Sequence, residues 1–180
     1  SVMDNHCGIG TYLLNSRVVH AVSSSSSVLG PYEEKESVVP PFAHEPCVAV
    51  APTGELVLIS VHGDLGNYTG HQCVCSDGSS KGGTGTCGCN NNCFYQASTL
   101  SVATSPNGPW KQSQITNLGR GENPAIWITK SGSVYGMVRG GNIGAYASDW
   151  QNLSTWSRGA PHGTQPLITA PDVEDPFLWQ

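Results

Sequence analysis

At three places in this chain an aspartate, glutamate or asparagine stands directly before a proline: Glu45-Pro46, Asn123-Pro124 (itself preceded by Glu122) and Asp175-Pro176. Carboxylates brought together at such positions could carry general acid–base chemistry, one holding a proton and one accepting it. An amide cannot, so Asn123 would enter such a constellation only as a hydrogen-bonding group. The plainer role for Asp or Asn before a proline at a strand start is to bond the backbone amides of the adjoining turn. Sulfur forms the second chemical cluster. Of seven cysteines, Cys73, Cys75, Cys87, Cys89 and Cys93 crowd into one short stretch. Four thiolates could hold zinc, but the C-x-C spacing differs from the C-x₂-C of zinc ribbons. The cluster is therefore read as disulfides stapling a loop that has no core of its own, with neither metal nor cofactor expected. Five is odd, so one partner comes from outside the loop, Cys7 or Cys47. Seven in all leaves one cysteine free, or paired beyond this chain.

The elements that must position these residues form a repeat. The run from His44 to Gly63 aligns without a gap on the run from Glu122 to Gly141, at an offset of 78. Pro46 falls on Pro124, the turn glycine Gly54 on Gly132, and Gly63 on Gly141. Each run reads as two strands joined by a tight turn. A third copy opens at Glu174-Asp175-Pro176-Phe177-Leu178-Trp179. Gly30-Pro31-Tyr32 is echoed by Gly108-Pro109-Trp110, again 78 residues on, and marks a further strand in each repeat. From Pro124 to Pro176 is 52 residues, against 78 from Pro46 to Pro124, and the difference of 26 is the cysteine-rich insertion at 64–95. About 50 residues in four antiparallel strands is the size of one propeller blade. A two-sheet sandwich is also built of short strands, but nothing in it calls for a gapless internal echo.

The fold expected is therefore all-β: a β-propeller of which about three blades are present, with a disulfide-rich loop insertion. Residues 1–43 supply part of a first blade, and 44–121 a second that carries the insertion. Residues 122–173 form a third, and 174–180 start a fourth. Strands are expected at 17–22, after Gly30, on both sides of Gly54 and at 97–103. The serines 23–27 read as a solvated hairpin loop, and 64–95 as a stretch with almost no regular structure. Composition agrees: 22 Gly and 12 Pro against only 12% charged residues suit many strands and turns rather than helices.

The net charge of −5 argues against nucleic acid, whose phosphates call for a basic surface. No run of 18 apolar residues is present to span a membrane. Two N-x-S/T sequons, at Asn67 and Asn152, fall in loop-like sequence, and with the cysteine cluster they point to a secreted, glycosylated protein.

The order Cys7-Gly8, Ser16-Arg17-Val18-Val19-His20-Ala21-Val22-Ser23, Gly30-Pro31-Tyr32, His44-Glu45-Pro46, Glu122-Asn123-Pro124 and Glu174-Asp175-Pro176-Phe177-Leu178-Trp179 resembles the five-bladed propellers of the glycoside hydrolase family 43 type. The likeness rests on order and spacing, since single motifs such as x-N-P are unspecific. Five blades need about 100 residues more than are present, which implies a segment of a longer protein. The resemblance places Glu45, Asn123 and Asp175 around one central funnel, with His62, Arg139 and the insertion on its rim. Glycosidases of this type use carboxylates across the funnel. Inverting hydrolysis sets acid and base roughly 6.5–9.5 Å apart, so that water fits between them.

Carried over residue by residue, the catalytic base falls before Ser1. The second-blade aspartate position holds Glu45, one methylene longer. The general-acid position holds Asn123, which cannot protonate a leaving group. Glu122 is adjacent, but strand alternation points neighbours to opposite sides. The resemblance thus nominates Glu45, Glu122 and Asp175 as catalytic candidates and His62, Asn123 and Arg139 as carbohydrate-binding ones, with hydrolysis in doubt. The rival expectation is a non-catalytic structural or adhesive module that contacts other extracellular subunits. Trp110, Trp127, Trp150, Trp156 and Trp179 recur with the strand pattern, which suits packing between blades better than stacking on sugars.

Overall fold

Alternating β-branched residues between Gly-, Ser- and Pro-rich turns build short strands here. The computed structural model describes residues 2–3, 16–40, 43–62, 72–74, 80–82, 97–115, 123–138, 143–157 and 178. Its strands are β1 (Val2–Met3), β2 (Ser16–Ser23), β3 (Tyr32–Val39), β4 (Ala43–Val50), β5 (Leu56–His62) and β6 (Gln72–Val74). They continue with β7 (Ser80–Gly82), β8 (Ala97–Ala103), β9 (Lys111–Ile115), β10 (Ala125–Ile128), β11 (Val134–Met137) and β12 (Ile143–Ala147). The pairs β1–β2, β2–β3, β5–β8, β8–β9, β6–β7, β10–β11 and β11–β12 are antiparallel. The described residues are therefore all-β but for one 3₁₀ turn, Leu153–Thr155, and no helix among them is long and apolar enough to cross a membrane. The chain divides into two compact units, one of residues 1–44 with 65–93, the other of 45–64 with 94–180.

In the first unit β1, β2 and β3 form one sheet in that order. Arg17 reaches from β2 to Glu34 of β3 as a two-pronged pair, at 2.5 and 2.9 Å. That bond holds the Glu34 carboxyl below its usual range. The serine run behaves as a solvated loop. Ser23 Oγ donates to the Ser27 carbonyl at 2.9 Å and Ser25 Oγ to the Gly30 carbonyl at 3.0 Å. Val28 and Leu29 stand exposed at its tip. Within the insertion, β6 and β7 pair through Gln72↔Gly82, Cys73↔Lys81 and Val74↔Ser80. The expectation of almost no regular structure over 64–95 leaves room for this short ribbon, and the other residues of that stretch lie outside the described ones. The signal overlooked is Asp77-Gly78, a hairpin-turn dipeptide between two short runs that can extend.

The second unit holds a four-stranded sheet in the order β4-β5-β8-β9 and a three-stranded one, β10-β11-β12. Residues 51, 57, 59, 100, 126, 128, 134, 147, 150 and 156 form one buried apolar cluster, with Cys47, Ala49 and Val102 packed against it. The period of two explains the membership: Val57 and Ile59 share a face of β5, opposite Val102 and Leu100 of β8. The other face of these two strands is also dry, since Leu58, Ser60, Thr99 and Ser101 are buried. Trp156 seats its indole in the cluster and donates from Nε1 to the Trp150 carbonyl at 3.2 Å.

The sequence echo is matched in the backbone. The turn after β4 closes with Ala51 N–H to the Glu55 carbonyl at 2.8 Å and Gly54 N–H to the Ala51 carbonyl at 2.9 Å. The turn after β10 repeats it 78 residues on, from Thr129 to Ser133 at 2.8 Å and from Gly132 to Thr129 at 2.9 Å. Gly54 and Gly132 both sit at positive φ, +95° and +88°, which only glycine adopts without strain. Gly30 and Gly108 share the same property, and each precedes a cis proline.

Candidate functional site

Glu45 and Asn123 are the two sequence-nominated residues that the structure brings together. Glu45 is the third residue of β4, and Asn123 stands two residues before β10. Both have left-handed backbones, with φ of +54° and +52°, and they are the only non-glycine residues with positive φ among those described. Such a conformation costs a side-chain-bearing residue about 1–2 kcal/mol, less for Asn than for Glu. It persists where the surroundings hold it in place, and sites of function are where it clusters. Here the holding contact is visible. The backbone N–H of Asn123 donates to Glu45 Oε2 at 2.6 Å, a short bond to an ionised acceptor between repeat-equivalent positions.

That contact gives Glu45 a structural role. Its carboxylate ties one strand start to the next, which is the role the plainer sequence reading gave to an Asn or Asp before proline, transferred to Glu. Removing the acceptor with Glu45→Ala is expected to cost about 1–3 kcal/mol in urea unfolding, because the Asn123 amide loses a charged partner in a partly buried place. Glu45→Gln, which keeps an oxygen there, should recover more than half of that loss. A carboxylate that acted only as a proton carrier would leave stability unchanged in both variants.

The remaining nominees are placed less fully. His62 closes β5 opposite Ala97 of β8, and only its backbone is described. Glu122, Arg139 and Asp175 lie outside the described residues, as do Cys7, Cys75, Cys87, Cys89, Cys93 and Asn67. Cys73 is described only as a strand residue of β6. Cys47 is half-buried beside the core cluster and is a free thiol. Of the two partners open to the loop cysteines, it is the one found unpaired. Asn152 is exposed, and its Oδ1 caps the 3₁₀ turn by accepting from Ser154 N–H at 3.1 Å and Ser154 Oγ at 2.7 Å. No group of three or more potential metal ligands occurs among the described residues.

Two features went unread in the sequence. Trp127, Tyr135 and Tyr146 form a cross-strand aromatic row, with ring centroids 5.8 Å apart for the first pair and 5.5 Å for the second. The register Trp127↔Tyr135↔Tyr146 across β10, β11 and β12 creates it. Such a row resembles a sugar-stacking platform, but the repeat speaks for packing. The counterparts of Trp127 and Tyr135, 78 residues earlier, are Ala49, which packs against the apolar core, and Val57, which belongs to it. The second feature is an open cleft of about 390 Å³ lined by Glu55, Thr104, Pro109, Lys111 and Trp150 among others. Glu55 stands in the turn after β4, at the other end of that strand from Glu45, so this cleft is separate from the strand-start site.

Comparison of the chain with protein-family models, curated proteins and solved structures finds no match. The residues themselves carry the functional argument.

Proposed function

We propose that this chain is part of a secreted, five-bladed β-propeller of the glycosidase-like type that engages carbohydrate at its central funnel and hydrolyses it poorly. The observation that supports the reading is the hydrogen bond between Glu45 and Asn123. Residues 78 apart in a repeat meet at their strand starts, as they would around a common axis. The same bond favours binding over turnover. Glu45 is engaged with a backbone amide, and Asn123, at the position where the resemblance implies a general acid, has no proton to give. On this reading His62, Arg139 and Asp175 are funnel-rim groups for sugar hydroxyls, and the insertion 64–95 is stapled by disulfides.

The test assays the full-length protein on natural oligosaccharides and on aryl glycosides with good leaving groups, beside direct glycan binding. Binding is expected to persist, with turnover of the natural sugars 10²–10⁴-fold below that of an enzyme with an intact acid, in line with the usual contribution of proton transfer. Aryl glycosides, which need no protonation, should react faster than natural ones. Rapid hydrolysis of natural sugars that Glu122→Gln abolishes would make Glu122 the acid and overturn the reading. Binding to no glycan at all would favour the structural alternative, a non-catalytic extracellular subunit. The engaged state of Glu45 already supports that alternative in part. The secreted setting has its own check: exposed Asn152 should carry a glycan that peptide N-glycosidase removes with a measurable loss of mass.

A further inference from the structure

We infer that the cleft beside the β4–β5 turn is a binding site for a small zwitterion, an α-amino acid with an apolar side chain. The inference does not rest on the glycan reading, since this cleft lies at the other end of β4 from the strand-start site. Its volume of about 390 Å³ is that of a small-molecule pocket, and Val102, Pro109 and Trp150 give it apolar walls. Two opposite charges line it as well, Glu55 and Lys111. All five residues belong to the second unit.

The fold uses neither charge. Glu55 Oε2 is buried and accepts no hydrogen bond from any described residue. A buried acceptor in that state is an exception that calls for a donor. The ion pairs between described residues are Arg17–Glu34, His20–Glu36 and Lys35–Glu33, so Glu55 and Lys111 pair neither with each other nor with a third group among them.

The other repeat shows what the same places look like without charges. Glu55 falls on Ser133 at the offset of 78. Leu56↔Ala103 is mirrored by Val134↔Ala147, so Thr104 answers to Ser148. Val102↔Lys111 is mirrored by Tyr146↔Ser157, so Lys111 answers to Ser157. Ser133 Oγ donates to the Ser148 carbonyl at 3.3 Å, and Ser157 Oγ to the Tyr146 carbonyl at 3.4 Å. In the second repeat these positions close on neighbouring backbone. The first repeat has a carboxylate and an ammonium instead, and a carboxylate cannot donate to the facing carbonyl as a serine does.

A ligand that carries an ammonium and a carboxylate on one carbon complements both. Its ammonium meets Glu55, its carboxylate meets Lys111, and its side chain lies against Val102, Pro109 and Trp150. A buried carboxylate oxygen gains most from a charged donor, since charge-assisted bonds are about twice as strong as neutral ones. An acidic sugar would satisfy Lys111 but offer Glu55 only neutral hydroxyls, and is the weaker fit.

The experiment titrates the full-length protein with L-leucine, with isopentylamine (no carboxylate), with 4-methylpentanoate (no ammonium) and with D-glucuronate, followed by saturation-transfer NMR. Leucine is expected to bind about tenfold or more tighter than either half-ligand, the size of one charge-assisted hydrogen bond. Glu55→Gln should remove that advantage and leave 4-methylpentanoate unaffected, whereas Lys111→Met should remove it and leave isopentylamine unaffected. Both variants keep the side-chain length, and matching thermal midpoints show that each is folded. Leucine binding no tighter than its halves overturns the inference, as does affinity unchanged in both variants. Glucuronate binding tighter than leucine overturns it too and would make the cleft a sugar subsite. Non-additive loss of stability in the double variant without ligand would show that the two side chains pair with each other, and is the last outcome that overturns it.

Discussion

Trp156→Ala is expected to lower the folding stability of this protein by about 3–5 kcal/mol, the range for removing a fully buried large aromatic side chain. Trp156 is 1% exposed and fills the centre of the cluster shared by both sheets of the second unit. Its loss takes away three things at once. The ring's apolar area returns as a cavity lined by branched side chains. The Trp150 carbonyl loses the Nε1–H that reaches it at 3.2 Å. The segment around it loses the side chain that pins it to the core, and only backbone bonds, Ser157 with Tyr146 at 2.8 and 2.9 Å and Trp156 N–H to the Leu153 carbonyl, are left to hold it. Denaturant midpoints at constant slope measure the change. Trp156→Phe, which keeps most of the volume and drops the indole donor, should lose less than half as much. An alanine variant within 1 kcal/mol of the parent would show that the cluster does not depend on this ring.

Acid should weaken the fold through His44 by about 3 kcal/mol in full. The side chain is buried, and burial, as the larger cause, pushes its imidazole from 6.5 down to about 4. The folded protein thus favours the neutral ring. Between pH 6.5 and 4 the unfolded chain takes up a proton that the folded chain refuses, so stability falls as pH falls through that window and levels off below it. Above pH 7 the group has no further effect. Glu34, held down by Arg17, adds a loss of the same sign as the pH approaches the carboxylate range. The His44 part is isolated by comparison with His44→Gln, whose stability between pH 7 and 4 should decline less steeply. Equal slopes for the two proteins would remove His44 from the account.

The repeat was legible in the sequence because glycine and proline mark backbone geometry directly. Gly54 and Gly132 stand where the turns need positive φ, and the strands they join follow from the alternation on either side. The meeting of Glu45 and Asn123 was legible too, as equivalence at an offset of 78. Its form was not. No pattern of residue types announces that a Glu before a proline will take a left-handed backbone, or that its carboxylate will go to a main-chain amide rather than to substrate or solvent. The aromatic row stayed hidden for a related reason. Trp127, Tyr135 and Tyr146 fall on three successive strands and share a row only through the register of those strands. β6 and β7 were missed because three-residue strands carry no periodicity, and only the Asp-Gly between them hints at a hairpin.

β5 and β8 are zipped in unbroken register from Leu56↔Ala103 to His62↔Ala97. Everything between 62 and 97 therefore leaves and re-enters the sheet through two adjacent, hydrogen-bonded residues. For the sheet this junction is a socket indifferent to the length of what is plugged into it. Shortening residues 63–96 to an eight-residue turn would change the entropy of loop closure by only about 1 kcal/mol. A foreign loop grafted between residues 62 and 97 should leave the β5–β8 pairing in place.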